Sequence, residues 1–262
     1  MSASSSTTIT VLGMGTLNPV PARLGPARRP GDARCRRHRA ETGTGSRRHR
    51  VETGGGPIRR TSVEPVTGVD VIVLAGGASR RMGTDKLALR RGDRSLLDYT
   101  VAGLIEAVPV ASVAVAGPPR PLPASLEAAV TWAPEDPPAG GPVAGLAAAA
   151  AVGSASVVLV AAGDTPYAAA AAPALLAALR AGRPAGVAVA VLDIGGRVQP
   201  LSAAWHRPAL LAALAAIGDP VGARARDLLA GATVVTVADR WRAAEDLDTP
   251  ADADRAGFVR RG

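Results

Sequence analysis

A three-layer α/β fold built on a mostly parallel, doubly wound sheet is what this sequence predicts, and three observations carry the expectation. Five short β-branched runs alternate with alanine- and leucine-rich stretches of helical length, the pattern of a parallel sheet covered on both faces. Hydrophobic residues make up 47% of the chain but aromatics only 2%, so the core must be filled by small side chains in closely packed layers. Glycine-rich or acidic clusters follow the runs directly, where open α/β sheets bind ligands.

The elements follow in order. VDVIVLA (69–75) is the first strand, and an alanine- and leucine-rich helix is expected over 95–107. ASVAVAG (111–117) is the second strand, followed by a helix over 142–152 whose Pro142 suits a first turn. ASVVLVA (155–161), a helix over 170–181, AGVAVAVL (185–192), a helix over 207–216 and ATVVTVA (232–238) continue the alternation. Thr249 and Pro250 are suited to start a last helix. No internal repeat is visible.

The net charge of +8 has the look of a nucleic-acid signature, but its distribution says otherwise. Residues 1–65 hold 12 arginines and 4 acidic residues, while residues 66–262 hold 18 of each sign. The whole excess sits in a segment rich in Gly, Pro, Arg, Ser and Thr, with no apolar period. Such a segment cannot bury enough surface to offset its chain entropy. Residues 1–65 are therefore read as a disordered basic extension, or as a stretch that is never translated because synthesis starts further along. Arg-rich tails without aromatics are usually solvated, and no nucleic-acid partner is expected. No basic n-region precedes an apolar stretch, since the first charge is Arg23, so a secretion signal is excluded. Cys35 is the sole cysteine, which rules out a disulfide framework within one chain and fits a reducing cytoplasm. Residues 140–163 lack charge, but their Ala, Gly and Ser content with a central GSAS reads as helix, turn and buried strand, not a membrane span.

Five stretches carry candidate chemistry. VLAGGASRRMGTDK (73–86) contains the one lysine, Lys86, of a chain with 29 arginines. Gly76 and Gly77 permit backbone conformations that let successive N–H groups converge on a phosphate, and Arg80, Arg81 and Lys86 add positive charge to the same loop. Neither G-x-G-x-x-G nor Gly-Lys-Ser/Thr is present. PEDPPAGGPVAGL (134–146) is a glycine–proline loop entering a helix, with Glu135 and Asp136 at its start. VVLVAAGDTPY (157–167) puts Asp164 at the end of a buried strand, where a carboxylate could hold Mg²⁺ or cap the next helix. AAEDLDTPADAD (243–254) offers Asp248 for the same two roles. GGRVQPLSAAW (195–205) contains Gln199 and Pro200, either a polar binding element or a turn into a strand. His206 reads as a surface residue, and Trp132, Trp205 and Trp241 as scattered core or interface aromatics.

Residues 74–86, LAGGASRRMGTDK, resemble the L-A-G-G-x-S-x-R-M-G-x-D-K signature of the molybdenum cofactor guanylyltransferases, within the wider nucleotidyltransferase family, at every fixed position. GGPVAG resembles that family's G-P-L-A-G element with Val143 in place of leucine. GDTPY resembles its C-D-x-P element with glycine in place of cysteine, and DLDTP its D-x-D-T-P element. The resemblance spans residues 69 to about 256 and implies a Rossmann-like sheet of the nucleotidyltransferase type over 66–262.

What the resemblance implies is transfer of GMP from GTP to the phosphate of molybdenum-bound molybdopterin, with release of pyrophosphate. Leu74, Ala75, Gly76 and Gly77 would bind the nucleotide, Lys86 and Arg81 would serve catalysis at its phosphates, and Asp164 and Asp248 would hold Mg²⁺. An acid would accept hydrogen bonds from guanine N1 and N2, and whether this is Glu135 or Asp136 stays open. Gln199 and Pro200 would face the acceptor. A cytoplasmic monomer is expected, in transient contact with molybdoenzymes or other cofactor-synthesis proteins. A molybdopterin cytidylyltransferase is the nearest alternative, and Gly76, where that group carries alanine, argues for guanine. Phospholactate guanylyltransferase and isoprenoid cytidylyltransferase activities rank lower. A non-catalytic nucleotide-binding regulatory module is the alternative of another class, and the intact Lys86, Asp164 and Asp248 argue against it.

Overall fold

A computed structural model describes residues 10–12, 68–77, 83 and 85–260. The first two strands are β1 (Thr10–Leu12) and β2 (Val69–Leu74). A single 3-10 turn (Lys86–Ala88) and a short hairpin of β3 (Arg90–Arg91) and β4 (Arg94–Ser95) lead into α1 (Leu96–Ala107). Ser95 and Asp98 start α1 by capping each other: Asp98 N donates to Ser95 Oγ at 3.1 Å and Ser95 N to Asp98 Oδ2 at 2.8 Å, which satisfies two otherwise unpaired amides. β5 (Val110–Ala116), α2 (Ala124–Glu127), β6 (Val130–Ala133) and α3 (Pro142–Ala150) come next, with Pro142 in the first turn of its helix. β7 (Val157–Ala162), α4 (Ala168–Gly182), β8 (Val189–Ile194), β9 (Arg197–His206) and α5 (Arg207–Ile217) follow. β10 (Val234–Ala238) and α6 (Pro250–Arg255) complete the chain, the latter capped reciprocally by Thr249 and Asp252.

The main sheet has the order β1-β10-β8-β9-β7-β2-β5-β6. β6, β5, β2 and β7 pair in parallel, as do β8 and β10, whereas β9 runs antiparallel to both β7 and β8. Alternation within each strand creates the three layers. Val71 and Val73 join Val113, Val115 and Leu159 in a cluster with α1 and α4, while Ile72 joins Ala114, Val158 and Val160 in a second cluster with α3 and α5. The doubly wound, mostly parallel sheet is thus present, its two interfaces filled mainly by Ala, Val and Leu, with Phe258 in the first and Trp205 in the second.

Besides β1 and the β3–β4 hairpin, two strands were not anticipated. β6, VTWA, is a short edge strand with one polar and two half-buried positions, too weak a run to stand out. β9 holds the QPL that reads as a turn. Its ladder with β8 jumps from Leu192↔Gln199 to Val191↔Ala203, so Pro200 falls in a bulge where no ladder amide is required of it. His206 ends β9 half-buried, and its Nε2 is enclosed with no hydrogen-bond partner among the described residues. It is not the surface residue that its position before Pro208 predicts. Within the extension expected to be disordered, Thr10–Leu12 pairs antiparallel with β10, and the other residues of 1–65 lie outside those described. Of the tryptophans, Trp205 is fully buried, Trp132 packs on the α1/α4 cluster and Trp241 is exposed.

The end of the sheet remote from the glycine loop is held by a buried ion pair. Asp70 Oδ2 accepts from Arg207 Nη2 at 2.5 Å and Ala155 N at 2.8 Å, and its Oδ1 accepts from Ser112 Oγ at 2.6 Å. Arg207 also donates to the Ala155 and Ala150 carbonyls at 2.7 and 2.8 Å. This network joins β2, β5, α3 and α5 and leaves the opposite, carboxyl ends of the strands free to form a site.

Candidate active site

β2 is flanked by β5 on one side and β7 on the other. The chain therefore leaves β2 in one direction and later returns to its other edge, the topological switch at which α/β sheets open a crevice. Three turns meet there: the glycine loop after β2, the turn after β5, and Gly163–Asp164 after β7. Their backbones touch. Ala75 N donates to Ala116 O at 2.7 Å and Gly163 N to Leu74 O at 2.8 Å. Gly117, at φ +134°, lies so close that a Cβ would stand 2.9 Å from the Ala75 carbonyl and Gly76 N. Only glycine allows that approach.

At one end of the crevice lies Glu135, two residues beyond β6. A Cβ on Gly76 would lie 2.5 Å from Glu135 Oε1, and one on Gly145 in α3 would lie 3.0 Å from the same atom. The carboxyl group thus occupies a cradle made by two glycines. Its Oε2 is buried and has no hydrogen-bond partner among the described residues. Asp136, the other candidate, is exposed. A buried acceptor without a donor costs stability in the free protein, so the cradle has the form of a place prepared for a ligand N–H.

At the other end stands Lys86, in the 3-10 turn that Asp85 starts by accepting from Leu87 N at 3.2 Å. The Lys86 ammonium donates to Asp248 Oδ1 at 2.9 Å and forms an ion pair with Asp164 Oδ2. Its side chain is 17% exposed. Burial works to lower the Lys86 pKa, but the charges and hydrogen bonds of Asp164 and Asp248 together outweigh it and hold the pKa above the usual lysine value. Leu247 N donates to the Asp164 carbonyl at 3.1 Å, which ties the segment carrying Asp248 to the β7 turn.

A third acid, Asp246, joins them. One carboxylate oxygen from each of Asp164, Asp246 and Asp248 lies within 4.8 Å of the others. Burial, then the neighbouring Asp248 and Asp164, push the Asp246 pKa up. The alternation of the sequence could have revealed it. In Asp246-Leu247-Asp248 the leucine is buried in the α1/α4 cluster, and its two neighbours project to the other side together. Three hard oxygen donors suit Mg²⁺, and a cation, the Lys86 ammonium, already bridges two of them.

The remaining expectations fall in three groups. Leu74 and Ala75 end the strand at the crevice, and Gly76 and Gly77 are exposed at its mouth, Gly77 at φ +117°. Arg80 and Arg81 lie outside the described residues. Gln199 folds its amide back onto the Arg197 carbonyl at 3.1 Å, and no hydrogen bond places it or Pro200 against the acid cluster among the described residues. One residue with no motif to announce it is Arg120, in the loop after β5, which reaches both Asp85 and Ala75.

The MobA-like NTP transferase domain profile matches residues 71–239. The chain belongs to this family. The match takes in the glycine loop, Glu135 and Asp164 and ends before Asp246 and Asp248. No curated protein matches the chain in sequence. Solved structures of MobA-like and related NTP transferases share its fold at low identity. A nucleotidyl transferase from Methanothermobacter thermautotroptrophicus is 21% identical, with TM-score 0.53, covering 72% of this chain and 96% of its own. The molybdopterin-guanine dinucleotide biosynthesis protein A of Archaeoglobus fulgidus is 21% identical, with TM-score 0.53, over 72% and 97%. The 2-C-methyl-D-erythritol 4-phosphate cytidylyltransferase of Thermus thermophilus is 22% identical, with TM-score 0.52, over 71% and 96%. Among the described residues of this MobA-like protein, no helix is long and apolar enough to cross a membrane. The crevice sets the Glu135 carboxyl at one end and the Lys86 ammonium with its cluster of acids at the other.

Proposed function

We propose that this MobA-like NTP transferase is a molybdenum cofactor guanylyltransferase, which moves GMP from GTP to the terminal phosphate of molybdenum-bound molybdopterin. The observation that carries the reading is Glu135: a buried carboxylate oxygen without a donor, set in a cradle of Gly76 and Gly145. Guanine presents two adjacent donors, N1–H and N2–H, to such a carboxylate, and cytosine does not.

In the proposed reaction an oxygen of the acceptor phosphate forms a bond to the α-phosphorus of GTP. The bond from that phosphorus to the bridging oxygen breaks, and its electron pair leaves with pyrophosphate. The acceptor phosphate is already ionised, so no general base is needed. The chain's task is to align two anions and offset their repulsion. The glycine loop turns its amides toward the triphosphate, and Lys86 shares its ammonium between the acids and the phosphate oxygens. Asp164, Asp246 and Asp248 would hold Mg²⁺, which neutralises phosphate charge when bound. Gln199 and Pro200 are assigned to the acceptor side.

A turnover screen tests the reading: each of four NTPs with molybdopterin and with simple phosphorylated acceptors, followed by pyrophosphate release. Release confined to GTP with molybdopterin is the expected result. Preference for CTP, or for a simple phosphate acceptor, would refute it.

A further inference from the structure

Arg120 belongs to none of the sequence motifs, yet it holds both ends of the loop that carries them. Its Nε donates to Asp85 Oδ2 at 2.9 Å, and its Nη1 to the carbonyls of Ala75 at 2.9 Å and Pro118 at 3.2 Å. Ala75 is the last residue before the glycine loop and Asp85 the residue before Lys86. The Arg120 side chain is 15% exposed and that of Asp85 42%, so the bond to the Ala75 carbonyl is part-buried while the bond to Asp85 stays open to solvent. Beneath it, Gly117 brings the β5 turn against the Ala75–Gly76 peptide. Asp85 uses its other oxygen, Oδ1, to accept from Leu87 N. A continuous chain of bonds thus runs from the Ala75 carbonyl through Arg120 and Asp85 to the turn that bears Lys86.

We propose that Arg120 is a positioning residue: it pins the neck of the phosphate loop so that the Lys86 turn keeps a fixed place relative to β2. A guanidinium suits this task because its separate nitrogens can hold a carboxylate and two carbonyls from one rigid plane, whereas an ammonium is a single point. Lys86 then keeps its place beside Asp164 and Asp248 when a triphosphate arrives. The inference rests on the reading of this loop as the phosphate cradle, but not on the identity of the base or acceptor.

The test uses the full chain with Arg120→Gln, Arg120→Lys, Asp85→Asn, and the Gln/Asn double variant. Asp85→Asn keeps an oxygen for Leu87 N but loses the charge that Arg120 grips. In the nucleotide-free protein, hydrogen exchange over residues 85–89 should rise in Arg120→Gln and Asp85→Asn, less in Arg120→Lys, while melting temperature stays near wild type. Calorimetry should show affinity for Mg-GTP and Mg-CTP falling alike, by about tenfold in either single variant and by no more in the double. Unchanged exchange in Arg120→Gln would overturn the proposal, and so would additive losses in the double variant, which would mean that Arg120 touches the nucleotide directly. A wild-type protein that binds neither nucleotide would sink the nucleotide reading, and the exchange data would still decide the clamp.

Discussion

Removing the Glu135 charge should move stability and binding in opposite directions. Glu135→Gln keeps the shape that fits between Gly76 and Gly145 but replaces the unpartnered carboxylate oxygen. A buried acceptor without a donor costs about 1–3 kcal/mol in the free protein, and an amide incurs less of that cost. At about 2–4 °C per kcal/mol for a domain of this size, the variant should melt at or a few degrees above wild type. GTP should bind worse, because a hydrogen bond to a charged group is worth about 1.5–3 kcal/mol and the new NH₂ faces guanine's own donors. Loss of one such bond is about 10- to 150-fold in Kd, with CTP nearly unaffected. Calorimetry with both nucleotides and a thermal melt read all three quantities. A lower melting temperature with equal losses for GTP and CTP would mean that Glu135 supports the fold and reads no base.

Three further outcomes follow from the same geometry. Lys86→Arg should cut turnover at least ~10-fold, about 1.4 kcal/mol of barrier, with a smaller change in GTP affinity; steady-state kinetics against calorimetric Kd checks the split. Asp70→Ala strands the Arg207 guanidinium, 12% exposed, and breaking a buried pair costs about 3–5 kcal/mol, so the melt should fall by roughly 6–20 °C with activity kept at low temperature. Burial, and secondarily Arg183, lower the His206 pKa. The unfolded chain therefore protonates first, and stability present above about pH 6.5 is lost as pH falls through the lower folded value; His206→Asn should flatten that slope in denaturant titrations.

The parts of this protein visible in its sequence are those encoded by local pattern. Runs such as VDVIVLA announce strands because a strand buried on both faces must be apolar throughout. Pro142 and the Thr249–Pro250 pair announce helix starts because the first turn has amides that a cap satisfies or a proline lacks. β9 was hidden because its Pro200 is tolerable only in a bulge, and a bulge is a property of the pairing. The cradle around Glu135 was beyond sequence for a similar reason. The cradle is made by Gly76 and Gly145, brought to the acid from separate elements, and no spacing along the chain encodes their distance. Arg120 had no local signal at all. Asp246 is the instructive miss, since the D-L-D alternation with an apolar centre already implied two carboxylates on one side.

The identity of the single lysine follows from its surroundings. Among the described residues, Lys86 faces Asp164 and Asp248 with Asp246 beside them, so the free protein holds an ammonium where three acids would otherwise repel one another. On the proposed reading, a triphosphate would bring more negative charge to the same place, and the cation would then serve both sets of oxygens. An ammonium has three donors arranged around one point, enough to keep a carboxylate while bonding to phosphate, and a flexible stem lets the point shift as the phosphorus changes geometry. A guanidinium has more donors but confines them to one plane. Placed between Asp164 and Asp248, that plane would be committed to the acids and could not turn toward phosphate without releasing one of them. On that reading, a lysine here, in a chain whose other basic Lys/Arg positions are all arginine, suits the need to share one charge among partners that do not lie in a plane.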